Sequence, residues 1–129
     1  MKEGYILWLD DDPNRAALAY QRSKPKDREK TIWCTTVEEA IVTLRDYKDL
    51  LTMVSLDHDL GGEHYVHPAR EDCGTEIVRY LEKLHKKGEL GNLKNVYYRI
   101  HSWNVDAGNS MYRRLKAIGL QVDYLPFGL

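Results

Sequence analysis

The stretch Leu56-Asp57-His58-Asp59-Leu60-Gly61-Gly62 completes the apolar run Met53-Val54-Ser55-Leu56. Two carboxylates flank an imidazole where that run stops, and a glycine pair follows. The same pattern stands upstream, where Tyr5-Ile6-Leu7-Trp8-Leu9 leads into Asp10-Asp11-Asp12. Burying a carboxylate without a partner is costly, so a buried strand that ends in acid marks a position with a task. Two such strand ends meet at the carboxyl edge of a parallel sheet, where open α/β folds place their ligand sites.

Working outward, strand-like and helix-like patterns alternate. Residues 5–9 form a tight apolar run that suits a central strand buried on both faces. Asp12-Pro13 reads as N-cap and first helical position, opening a helix that carries Ala16, Ala17, Leu18 and Tyr20. The charged stretch from Arg22 to Lys30 is a solvated loop, and Thr31-Ile32-Trp33-Cys34 is the second strand. Thr36-Val37-Glu38-Glu39 has the capping-box pattern, with Val37, Ala40, Ile41 and Leu44 at helical spacing after it. The third strand covers 53–56, and a long loop from Gly61 to Asp72 follows, its His64, Tyr65 and His67 reading as a lid or a solvated connection. The third helix shows Ile77, Tyr80, Leu81 and Leu84, with Gly88 as its stop. A strand over 96–100 ends at His101-Ser102. Asn104 to Gly108 opens a helix with Met111, Leu115 and Ile118 inward and Gly119 as stop, and 121–125 is the fifth strand.

The order β-α-β-α-β-α-β-α-β with right-handed crossovers predicts a three-layer α/β sandwich around a five-stranded parallel sheet. The flavodoxin-like order 2-1-3-4-5 places strands 1 and 3 side by side at the switch point. With no further helix expected after the fifth strand, one flank of the sheet is open to a second copy or a partner chain.

The chain has 129 residues, which suits a single domain over 1–129. Nineteen Lys and Arg against twenty Asp and Glu leave a net charge of −1, which gives no general case for a nucleic-acid track or an anionic membrane but leaves room for a small phosphorylated ligand or an RNA end. Two cysteines, Cys34 and Cys73, make no disulfide framework, and a reducing cytoplasm is the expectation. No apolar run approaches a membrane span.

Several carboxylates at one sheet edge repel each other, and a hard divalent cation relieves that repulsion. Oxygen donors of this kind suit Mg²⁺ first, with Mn²⁺ or Ca²⁺ as alternatives. Asp10, Asp11 and Asp57 are the expected ligands, with Asp59 as a further ligand or a proton donor. His101 and His58, at two strand ends of the same edge, are candidates for general acid or base. Side chains alternate along a strand, so His58 can point away from Asp57. Ser102, Asn104 and Arg15 are placed to hold phosphate oxygens; a helix cap or an ion pair is the competing use of each.

These residues resemble the receiver fold of two-component signalling, in which an acid pair ends the first strand, a phosphate-accepting Asp the third, and a Thr or Ser the fourth. Asp10-Asp11, Asp57 and Ser102 match those positions, while Leu125 stands where that family carries Lys. A closer resemblance is to the cyclic-phosphate processing receiver-like family. It is carried by Leu7-Trp8-Leu9-Asp10-Asp11 with Arg15, by Ser55-Leu56-Asp57-His58-Asp59-Leu60-Gly61 and by His101-Ser102-Trp103-Asn104, in that order along essentially the whole chain. The resemblance implies a metal-dependent phosphoesterase acting on a cyclic phosphate of a nucleotide or an RNA end. Water or Asp57 itself, through an acyl phosphate, would be the nucleophile. The alternative is a non-catalytic receiver that binds a partner or a nucleotide. A Toprim-like nucleic-acid enzyme is a minor third, because an Asp-x-Asp after the third strand also occurs there.

Overall fold

The computed structural model describes residues 4–12, 14, 30–60 and 66–125. Its strands are β1 (Tyr5–Leu9), β2 (Thr31–Cys34), β3 (Leu51–Leu56), β4 (Tyr97–Ile100) and β5 (Gln121–Tyr124); its described helices are α1 (Val37–Asp46), α2 (Thr75–Lys86) and α3 (Val105–Ala117), with one 3-10 turn at Gly91–Asn95. The strands form one sheet in the order β2-β1-β3-β4-β5, every pair parallel, as the sequence predicts. The helix predicted after Pro13, which would build the third layer, lies outside the described residues. At the predicted cap position, Asp12 Oδ1 accepts the Asn14 amide at 2.9 Å.

The capping box before α1 is complete. Thr36 Oγ1 accepts the Glu39 amide and Glu39 Oε1 accepts the Thr36 amide, each at 3.2 Å. Helices α2 and α3 each end two residues ahead of a glycine in left-handed conformation, Gly88 at φ 68° and Gly119 at φ 86°, so each glycine sits one position beyond the cap. Strand β3 starts two residues earlier than the apolar pattern suggests. Leu51 is buried and pairs with Tyr5 across a register shift that lies between Tyr5 and Ile6.

Alternation along the strands sorts the side chains. Leu7, Leu9, Val54, Leu56, Tyr98, Ile100 and Val122 belong to a buried core shared with Ala40 and Leu44 of α1, Ile77 and Leu81 of α2, and Met111 and Leu115 of α3. The described helices touch in succession, α1 with α2 and α2 with α3, so they cover that one face. Tyr98 is fully buried and donates its hydroxyl to the Leu93 carbonyl at 2.7 Å, and burial pushes its phenol well above the usual range. Residues of the opposite parity, Trp8, Ser55 and Arg99, lie abreast on the other face. None of the described helices is long and apolar enough to cross a membrane.

The start of α2 presses directly on the end of β3. The Gly74 amide donates to the His58 carbonyl at 2.8 Å. A Cβ on Gly74 would stand 1.8 Å from the Asp57 carbonyl oxygen and 2.7 Å from His58 Cα. Its φ of −59° is ordinary, so contact rather than conformation requires glycine here. Gly74→Ala should therefore cost about 1–3 kcal/mol, the usual range for overpacking, read as a lowered urea midpoint at unchanged m-value.

Candidate functional site

The ladder of the sheet continues one residue beyond each strand. The Asp10 amide donates to the Cys34 carbonyl at 3.0 Å, the Asp57 amide to Leu9 at 2.9 Å and the His101 amide to Leu56 at 2.9 Å. Asp10, Asp57 and His101 are thus fixed in register by the neighbouring strand. By alternation they continue the face of Trp8, Ser55 and Arg99. This brings together residues separated by 91 positions: His101 Nε2 lies 3.1 Å from Asp10 Oδ2.

Asp10 and Asp57 are 3% and 1% exposed, while Asp11 is half-buried. One carboxylate oxygen of each lies within 4.8 Å of the others. Backbone amides offset part of the charge: Asp10 Oδ1 accepts from Asp12 at 2.9 Å, and Asp57 Oδ1 accepts from His58 at 2.8 Å. Three converging hard oxygen donors, two of them withdrawn from water, fit a divalent cation of the Mg²⁺ or Mn²⁺ type. His101 is held at both ends. Its Nδ1 is 2.8 Å from Ser55 Oγ, its Nε2 faces Asp10, and the Trp8 ring stacks on it at 4.6 Å with 21° between planes.

His58 has the opposite parity and turns toward α2. Its side chain is wholly buried, with Nδ1 2.8 Å from Thr75 Oγ1 and Nε2 2.8 Å from the Val66 carbonyl. Burial by itself favours its neutral form, but the Cys73 thiol, the Val66 carbonyl and the Asp59 carboxylate outweigh it and hold its pKa above the ordinary value. Cys73 moves the other way: burial raises it, and His58 together with the Thr75 and Glu76 amides brings it below the usual thiol value. The pair ties the start of α2 to the end of β3 and stands apart from the acid cluster.

Asp59 acts as a clip. Its Oδ1 accepts the Val66 amide at 2.9 Å and the Asn104 side-chain amide at 3.2 Å. Asn104 is also the N-cap of α3, its Oδ1 accepting from Ala107 at 3.1 Å, and its own amide donates to Ser102 Oγ at 3.1 Å. The capping geometry therefore engages both Asn104 and Ser102, which the sequence places on a phosphate. Arg15, the third expected phosphate contact, lies outside the described residues, as do His64 and Tyr65. In the described half of the loop, Arg79 of α2 donates to the Pro68 and Arg70 carbonyls, both at 2.5 Å, so this half is pinned to the helix. His67 Nδ1 accepts the Ala69 amide at 3.0 Å. Sequence reasoning gave no role to Ser55 or Trp8. Each stands two residues before a site aspartate, and that spacing was the available signal.

A parallel sheet in the order 2-1-3-4-5, with acids ending β1 and β3 and a His-Ser pair ending β4, defines a receiver-like domain. Residues 5–117 match the family described as the cyclic-phosphate processing receiver domain, and the chain belongs to that family. Among solved structures it is similar to the signal receiver domain assigned to a Luxo repressor protein from Vibrio parahaemolyticus. The identity is 16% over 99% of this chain and 82% of that one, with a TM-score of 0.57, a likeness of fold. No curated protein matches the sequence.

Because one Asp59 oxygen serves two loops, Asp59→Ala should strand the buried Val66 amide. The expected loss is about 1–3 kcal/mol, the usual cost of an unsatisfied buried donor, checked by thermal and urea unfolding.

Proposed function

We propose that this domain is a metal-dependent phosphoesterase acting on a cyclic phosphate of a nucleotide or an RNA end. The observation that carries the reading is the convergence of Asp10, Asp11 and Asp57 within 4.8 Å at the carboxyl edge, in a chain whose family is that of cyclic-phosphate processing. Bound there, a divalent cation supplies charge neutralisation and polarises a phosphoryl oxygen.

The chain's own groups do the rest. Asp57, anchored by the His58 amide, either orients the attacking water or attacks phosphorus itself; in the second case one ring P–O bond breaks, its oxygen leaves as a protonated hydroxyl, and water hydrolyses the acyl phosphate to return the carboxylate. Of the two imidazoles, His101 adjoins the cluster, and its Nε2···Asp10 Oδ2 contact is where a proton can be held and returned. Trp103 follows Ser102 with 54% of its surface exposed, between residues fixed by the α3 cap, and its ring offers a face on which a base can stack. The substrate class and the site together favour a cytoplasmic setting.

The test is a hydrolysis screen over linear and cyclic nucleotides with and without Mg²⁺ and Mn²⁺. Turnover is expected only on cyclic substrates and only with metal. Asp57→Ala, which removes a cation ligand, and His101→Ala, which removes the proton-transfer group, should each lower it by at least about 10²-fold. Wild-type rates in both variants would sink the assignment.

A second reading, a non-catalytic receiver that binds a partner, is favoured by a specific observation. Trp103, Val105 and Leu125 are 54%, 50% and 40% exposed at the same end of the sheet, and Leu125 replaces the receiver Lys. It predicts metal or nucleotide binding with no hydrolysis, and a dimer or complex through the β5 flank. Incubation with acetyl phosphate followed by intact-mass measurement shows whether Asp57 accepts a phosphoryl group at all: an adduct that turns over fits Asp57 as the nucleophile of hydrolysis, and a stable one would return the domain to signalling. The family and fold findings lend the Toprim-like reading no support.

A further inference from the structure

We infer that Ser55 is a positioning residue whose hydroxyl fixes His101 as the Nε2–H tautomer and, through that ring, aims the Asp10 carboxylate at the cation. The inference rests on the reading of Asp10, Asp11 and Asp57 as cation ligands.

Ser55 is completely buried, and β3 places it abreast of Trp8 on β1 and Arg99 on β4. Its Oγ lies 2.8 Å from His101 Nδ1, and the far nitrogen, Nε2, lies 3.1 Å from Asp10 Oδ2. A carboxylate offers only lone pairs, so the proton of the second contact sits on Nε2. A neutral imidazole has one N–H, which leaves Nδ1 as an acceptor, and the Ser55 hydroxyl donates into it. The hydrogen bond made at one ring nitrogen decides which form the other takes. The stacked Trp8 ring, 4.6 Å away and 21° from coplanar, holds the imidazole in its plane.

The consequence falls on Asp10. Its Oδ1 accepts the Asp12 amide and its Oδ2 accepts from His101, so both oxygens are held. Without the Ser55 hydroxyl, the Nε2–H form loses the donor that complements its bare Nδ1, and the preference for that form weakens. The Nδ1–H form would set a ring lone pair against the Asp10 carboxylate, and Asp10 would turn from its ligating orientation. Partners of metal ligands orient them in this way and typically matter by roughly 10–100-fold in metal affinity. Ser55 is one bond further out, and a loss of roughly 3–10-fold follows.

Two readouts test this on the full chain. Long-range ¹⁵N–¹H correlation of the histidine rings, with His101 assigned by its loss in His101→Gln, should show Nδ1 bare and Nε2 protonated. Calorimetric titration with MnCl₂ should show Ser55→Ala weakened by roughly 3–10-fold, with its ring signals split between tautomers and with Ser55→Thr, which keeps the hydroxyl, restored on both counts. Thermal unfolding reports whether each variant is folded, and the wild-type tautomer stands as a test without any variant. An Nδ1–H tautomer in the wild type, or a folded Ser55→Ala chain that binds Mn²⁺ as tightly as wild type, overturns the role of Ser55 and leaves the cation reading standing. A wild-type chain that binds no Mn²⁺ overturns the cation reading and, with it, the aiming of Asp10.

Discussion

Asp10 and Asp57 sit almost wholly out of water on neighbouring strand ends, with carboxylate oxygens of both in one small cluster. Like charges in a poorly polarisable setting repel strongly, and the surrounding structure is organised around that repulsion. Backbone amides of Asp12 and His58 donate to one oxygen of each. His101 arrives from β4 to donate to the second oxygen of Asp10. The ladder bonds one residue past each strand lock these groups before any side chain contributes. The sheet order is what makes the meeting possible, because β1 and β3 are hydrogen-bonded neighbours and β4 lies on the far side of β3.

Much of this was legible in the sequence because it is periodic. Apolar runs that end in acid identified β1 and β3, the Thr36 capping box fixed the start of α1, and the alternation of elements gave the strand order. Parity was the more powerful signal. Counting by twos from Trp8 to Asp10, from Ser55 to Asp57 and from Arg99 to His101 puts all six on one face, and the same count turns His58 toward α2. What sequence could not supply was partnership. Ser102 and Asn104 look alike as phosphate donors and as caps, because the same hydroxyl or amide serves either use. The contact of Gly74 with the Asp57 carbonyl depends on two backbones meeting in space, and no local pattern announces it. Leu51 joined β3 through pairing with Tyr5, a tertiary reason that propensity does not see.

The departure from signalling receivers also has a physical reading. A receiver's Lys answers the charge of a phosphoryl group on the third-strand acid. Here that position is Leu125, whose amide simply continues the ladder to Ile100 at 2.8 Å while its side chain is 40% exposed. Among the described residues, the group that meets the Asp10 carboxylate is instead an imidazole, clamped between a serine and an aspartate and stacked on an indole.

The single Asp59 oxygen that accepts from both Val66 and Asn104 joins the connection after β3 to the cap of α3. A segment that lifts away gives up its own hydrogen bond to the carboxylate that also holds the other segment. They therefore form one cooperative opening unit, in which the amides of Val66 and Ala107 exchange with solvent through a shared event rather than by separate fraying. The rim of the site thus joins two distant parts of the chain through a single carboxylate.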